Sequence, residues 1–285
     1  MSTSQIDFIK PLSWGQAAYD NFASLQEELI NFESENIHLT ISSQEKLNRT
    51  FLFLIMCLYR LCEQCGKELS ITVSKKIYQH LDKMSFIQNP QITITRGAEL
   101  RFKHLGEKED ISIISKDIVK GMPVELSPRL YEDMVSKIGE MFNNAIEHSE
   151  APHVFGGRYN KPGKKYCFAC YDTGIGIVEK VRQFKKDKSL TDEAALSWAL
   201  APLNTTIENS SIPRGQGFSL LQNFTSTNRG IIRICTGRVL YTFDSKTGYK
   251  GHYKKLNHNF SGTLFEMDIN TDEVPYQYEG ESSNE

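Results

Sequence analysis

The chain has 285 residues, 39% of them hydrophobic and 24% charged, which supplies a packed core and excludes a disordered or fibrous polymer. Thirty-three basic against 35 acidic side chains leave a formal net charge of −2, which removes the electrostatic case for a dedicated nucleic-acid binder.

At roughly 100–200 residues per domain, this length predicts two domains. The first is expected over 1–95 as a small α/β unit for protein contacts. A charged connection follows over 96–125, a second α/β domain over 126–272 and an acidic, solvated tail over 273–285. The N-terminus shows no basic segment leading into an apolar one, so no secretory signal is expected. The most apolar run, Phe51 to Leu61, is far shorter than the roughly 20 residues of a bilayer span and contains Arg60. A cytoplasmic protein without a membrane segment is the expectation.

In chain order, Ile37 to Ile41 predicts a strand, Gln44 to Cys65 a buried helix, Leu69 to Val73 a strand and Lys75 to Met84 a second helix. A further strand is expected at Ile111 to Ile114. Ser127-Pro128 predicts a helix start, with Ser as N-cap and Pro in the first turn. Leu130, Met134, Ile138, Met141 and Ala145 then recur at helical spacing, and Glu140, Asn144 and His148 form a polar stripe off that face. Tyr166 to Tyr171 is apolar on both alternations and predicts a strand buried on both sides.

That strand ends in Asp172-Thr173-Gly174-Ile175-Gly176. A buried carboxylate needs a donor, and the exocyclic amine of adenine is one; two alternate glycines let a flat ligand approach. The same string is also compatible with a plain turn. Arg214-Gly215-Gln216-Gly217-Phe218 runs into a helical pattern through Leu220, which leaves backbone N–H groups and a positive helix end for phosphate. The long connection between these two loops, 177–214, carries Lys185, Lys186 and Lys188 and a short helix at Glu193 to Leu200. Its length suggests a lid. Ser261-Gly262-Thr263 opens a terminal strand to Ile269.

Taken in order, these boxes resemble those of the GHKL superfamily, the ATP-binding fold shared by gyrases, ninety-kilodalton heat-shock chaperones, histidine kinases and MutL. The stretch EMFNNAIEHS is most similar to the anti-sigma serine kinases and related stand-alone ATP-binding proteins. The resemblance covers about residues 110–272. It implies a Bergerat α/β sandwich with a mixed sheet and helices on one face. It implies ATP and Mg²⁺ as ligands, with Asn144 on the metal, Asp172 on the adenine amine and Thr263 supporting the same region. Gly174 and Gly176 would admit base and sugar. Gly215 and Gly217 would wrap the phosphates, flanked by Arg214, Gln216, Phe218 and Leu220. Glu140 would be the general base, and His148 would face the phosphates. The activity implied is ATP hydrolysis or phosphorylation of a protein partner, the alternative being an ATP-gated interaction switch with little turnover. A partner would be met through the N-terminal domain or the lid, and a homodimer is a further arrangement. The N-terminal half more loosely resembles STAS-like domains, through YQHLDKMSFI at Tyr78 to Ile87.

Other readings are weaker. Two CxxC pairs, Cys62/Cys65 and Cys167/Cys170, suggest zinc but lie about a hundred residues apart, without accompanying histidines. Asp172-Thr173-Gly174 also matches an aspartic-protease triplet, which requires a second carboxylate sharing the proton. No histidine carries the phosphoacceptor pattern of a sensor kinase. With Phe265 near the end, no transducer lysine is expected, and Arg214 or a lid lysine would have to serve.

Overall fold

A computed structural model of the protein describes residues 4–12, 15–41, 48–73, 100–105, 111–148, 150–151, 153–161, 165–202, 204, 217–247 and 251–271. The helix expected at Lys75 to Met84, the STAS-like stretch and the acidic tail lie outside these residues.

The chain is mixed α/β, with one parallel and one antiparallel sheet. The parallel sheet has the order β1 (Ser4–Phe8), β2 (Asn36–Ile41), β3 (Glu68–Val73). The helices α1 (Gln16–Asn31) and α2 (Arg49–Gln64) make its crossovers. Asn48 caps α2 by accepting the N–H of Thr50 at 3.2 Å. The expected start of α2 at Gln44 is thus too early. Phe51 to Ile55, Cys57 and Leu58 of α2 are buried on every side, as an all-round apolar helix requires.

The larger sheet has the order β4 (Leu100–Leu105), β5 (Val154–Lys161), β6 (Lys165–Asp172), β8 (His252–Asn270), β7 (Ile231–Asp244). All four of its pairings are antiparallel, so the expected mixed sheet is corrected. For two of the four pairings the reason is connectivity. β5–β6 and β7–β8 are hairpins on short links, and a parallel pair would need a crossover of about a dozen residues or more. The terminal strand begins at His252, well before the expected Ser261. Ile111 to Ile114, expected as a strand, begins the helix α3 (Ile111–Lys120). Ile114, Ile118 and Val119 recur there at helical spacing and are buried. The described residues of the stretch 96–125 thus hold β4 as well as α3.

On one face of this sheet pack α3, α4 (Pro128–His148), α5 (Gly176–Lys185), α6 (Asp192–Leu200) and α7 (Gly217–Thr227), in one apolar core. On the other face lie α1, α2 and the parallel sheet, in a second core that includes Cys167, Ala169, Tyr171, Cys235 and Leu264. The helices of the C-terminal half thus share one face of the sheet, and α1 and α2 of the N-terminal unit cover the other. β6 alternates strictly between the cores, with Cys167 in one and Cys170 in the other, so one ion cannot take both thiols.

A buried polar cluster fastens α1 to the large sheet. Arg233 Nη1 donates to Glu266 Oε1 at 3.1 Å and to Asp268 Oδ2 at 2.9 Å. Tyr19 donates its hydroxyl to Glu266 Oε2 at 2.9 Å. Burial, reinforced by Glu266, pushes the Tyr19 hydroxyl well above its usual range, so it stays a donor. Among the described residues, no helix is long and apolar enough to cross a membrane.

Candidate functional site

Three strands assemble a polar row at one end of the larger sheet. Asp172, the last residue of β6, is the register partner of Thr263 on β8, which is in turn the partner of Thr236 on β7. All three are buried, at 4%, 9% and 0% exposure. Their sequence neighbours Tyr171, Leu264 and Cys235 point into the core shared with α1 and α2. By strand alternation the row faces the opposite way, toward the layer of α4, α5 and α7.

Hydrogen bonds hold this row without neutralising it. The N–H of Gly174 donates to Asp172 Oδ1 at 3.0 Å. Ile177 N–H, in the first turn of α5, donates to Thr263 Oγ1 at 3.2 Å. Burial pushes the Asp172 carboxyl from 3.8 up to about 7, while hydrogen bonds from Gly174 and Thr263 pull it down; among the described residues no cationic side chain contributes. A carboxyl so placed is satisfied by an N–H donor from a ligand better than by water.

Two glycines make the closeness possible. Gly262 has φ +79°, and a Cβ there would sit 1.9 Å from the carbonyl oxygen of Asp172. Gly176 has φ +80°, and a Cβ there would lie 2.7 Å from Thr236 Oγ1 and 3.1 Å from the carbonyl oxygen of Gly262. Gly176 is buried. The space a side chain would take at Gly176 is filled by Thr236 of β7 and the backbone of β8.

The helix α4 carries the polar stripe. Ser127 Oγ accepts the N–H of Leu130 at 3.2 Å, the cap expected from Ser127-Pro128. Phe142 fixes the helix over β5 and β6. Its ring meets Phe168 edge-on at 5.9 Å and fills the space over Gly156, where a Cβ would come within 2.5 Å of it. The chain leaves α4 at His148 and enters β5 at Val154, the register partner of Asp172. The C-terminal end of α4 and the polar row therefore share one edge of the sheet and one face. Asn144 is exposed on that end. Glu140 is half-buried and pairs with Lys137 Nζ at 3.0 Å, a partner that the stripe alone did not reveal.

The connection expected to act as a lid is two packed helices as far as Leu200. Val178 and Val181 of α5 and Ala195 and Leu196 of α6 are buried in the core. Lys180 ties α5 to Glu150 at 2.6 Å. Asp192 takes Arg182 at 2.5 Å, and it also accepts the N–H of Arg238 at 2.6 Å. Arg214, Gly215 and Gln216 lie outside the described residues, as do the side chains of His148 and Leu220. Gly217 opens α7, which packs beside α4. Phe218 is half-buried, with its ring edge-on to Tyr241 at 5.9 Å, so it anchors the start of α7.

Asp172, Gly174, Gly176 and Thr263 are thus gathered at one point, with Asn144 and α7 on the same face. Thr236, the third member of the row, and Gln26, which holds this point from behind, were not anticipated. Gln26 did leave a signal, as the one amide among Ala18, Tyr19, Phe22, Leu25 and Leu29 on the buried side of α1. Comparison with protein-family models and with curated proteins finds no match to this chain.

Proposed function

We propose that this chain binds ATP with Mg²⁺ at the Asp172–Thr263 end of its larger sheet, in the manner of the GHKL superfamily that its sequence resembles. On this reading the larger sheet and α4, α5 and α7 form a Bergerat-type sandwich. The observation that carries the reading is a buried carboxyl, without a cation among the described residues, beside a threonine on the next strand. Adenine offers the exocyclic N–H that such a pair lacks.

Asn144 would hold Mg²⁺ through its side-chain oxygen, and the metal's charge would neutralise the phosphates. The exposure of Asn144 on the same face as Asp172 supports that assignment. Glu140 stands one helical turn before it and would orient the attacking water or hydroxyl. Lys137 Nζ, 3.0 Å away, holds its carboxylate in place. The glycines at 215 and 217 and the N-terminus of α7 would meet the phosphates, with Arg214 nearby. The phosphoryl group passes to water or to a protein hydroxyl, and a nucleotide-gated switch is the outcome if neither occurs.

Incubating the protein with γ-labelled ATP and Mg²⁺ separates these fates. Release of labelled phosphate indicates a hydrolase, label on protein a kinase, and unchanged nucleotide with retained binding a switch. No binding of any adenine nucleotide sinks the proposal.

A further inference from the structure

The strand carrying Thr263 is not regular where it matters. Along β8, Thr263 pairs with Thr236 and Phe260 pairs with Gly237, so Ser261 and Gly262 have no register partner on β7. The β6 register also ends at Thr263. This is a bulge. A bulge leaves peptide groups without their ladder bonds, and here those of Ser261 are part-buried under α1, where such groups need partners.

A side chain from the far side of the sheet supplies them. Gln26 of α1 is fully buried at 0% exposure. Its Oε1 accepts the N–H of Ser261 at 3.2 Å, and its Nε2 lies 3.3 Å from the carbonyl oxygen of the same residue. The carboxamide therefore offers Ser261 the donor and acceptor that a neighbouring strand would. Its Nε2 also donates to the Tyr171 hydroxyl at 3.0 Å, and that hydroxyl donates to Ser261 O at 3.0 Å. The closed triangle links Tyr171, the residue before Asp172, to Ser261, two residues before Thr263. A second strap runs beside it: Gln64, at the end of α2, donates to Thr173 Oγ1 at 2.6 Å.

We propose that Gln26 is a positioning residue of the site, its carboxamide standing in for a strand at the Ser261–Gly262 bulge and so setting Thr263 against Asp172. It touches no ligand and acts through Ser261 and Tyr171. The N-terminal unit, on this inference, completes the geometry of a site formed on the opposite face of the sheet. What the site holds rests on the nucleotide reading above; where Gln26 acts does not.

Two amides report the geometry directly: Gly174 N–H, bound to Asp172, and Ile177 N–H, bound to Thr263. The test compares full-length wild type with Gln26→Met, which keeps length and loses both hydrogen-bonding atoms. Asp20→Asn is the control. It weakens the same α1–β8 interface away from the bulge, where Asp20 accepts from Asn257 N at 2.7 Å and His258 N at 3.0 Å. Amide hydrogen exchange is followed by NMR, and ADP binding by calorimetry. In Gln26→Met, exchange at Gly174 and Ile177 should quicken by about tenfold or more while β5 amides hold, and ADP should bind about tenfold more weakly. Asp20→Asn should leave both readouts at wild-type values.

Unchanged exchange at Gly174 and Ile177 in folded Gln26→Met overturns the proposal. So does equal acceleration in Asp20→Asn, which would mean general loosening of the interface. If wild type gives no heat with ADP but Gln26→Met still frees the two amides, the nucleotide reading fails and the positioning role stands. Should Gln26→Met not fold, Tyr171→Phe removes one oxygen of the triangle at almost constant volume and carries the same exchange test.

Discussion

Gly262 presses so closely on Asp172 that a single methyl group on its Cα would come within 1.9 Å of the Asp172 carbonyl oxygen. The obstacle is backbone, and the residue sits at φ +79°, so neither side can yield cheaply. Gly262→Ala is expected to destabilise the protein by about 2–4 kcal/mol, the sum of left-handed strain and overpacking. Urea unfolding followed by circular dichroism measures it. A loss below about 0.5 kcal/mol would show that β8 and β6 can part at this point.

Asp172 makes stability depend on pH in a direction opposite to an ordinary salt-bridged carboxylate. Its folded pKa, about 7, lies above its unfolded value of 3.8, so the native state binds more protons between the two. The stabilisation this gives is complete below the unfolded value and is lost as pH rises through about 7. Asp172→Asn should therefore match wild type near pH ~4 and exceed it by up to about 4 kcal/mol near pH ~8. Denaturant midpoints across that range check the sign. A gap that narrows with rising pH contradicts it.

Arg233 bridges two buried carboxylates, Glu266 and Asp268, at 3.1 and 2.9 Å. Removing it takes a guanidinium from two buried carboxyls, one of which also accepts from the Tyr19 hydroxyl. Arg233→Met should cost about 3–5 kcal/mol. Replacing Glu266 by Gln in the same background should recover part of that loss, which a double-mutant cycle in guanidinium would read out.

Phe142 carries the placement of α4, since its ring fills the space over Gly156. Phe142→Ala should destabilise by about 3–5 kcal/mol through the cavity it leaves. If α4 presents Glu140 and Asn144 to nucleotide, the milder Phe142→Leu should weaken Mg²⁺-dependent binding more than its modest stability loss explains. Equal effects with and without Mg²⁺ would separate α4 from the ligand.

Much of the architecture could be read from pattern alone, and the failures have physical causes. The strand ending at Asp172 was legible because seven consecutive buried residues from Tyr166 leave no solvent face to hide its ends. Ser127-Pro128 announced α4 through cap chemistry that needs no tertiary partner. Ile111 to Ile114 misled because a short apolar run does not distinguish period 2 from 3.6, and Ile118 and Val119 decide it only once the core is in place. The pairing of Asp172 with Thr263 could be guessed from their order, but the Gly262 bulge could not. It depends on Gln26, more than two hundred residues away in sequence, and single-sequence periodicity carries no such long-range register.

The most direct measurement of the central claim is calorimetric titration of the full-length protein with ADP and ATP in Mg²⁺, alongside Asp172→Asn. Wild type should bind both, more tightly as pH rises through about 7 because the donor prefers an ionised Asp172, and Asp172→Asn should lose binding at every pH. Equal affinity in the variant, or no heat from wild type at millimolar nucleotide, would contradict the account.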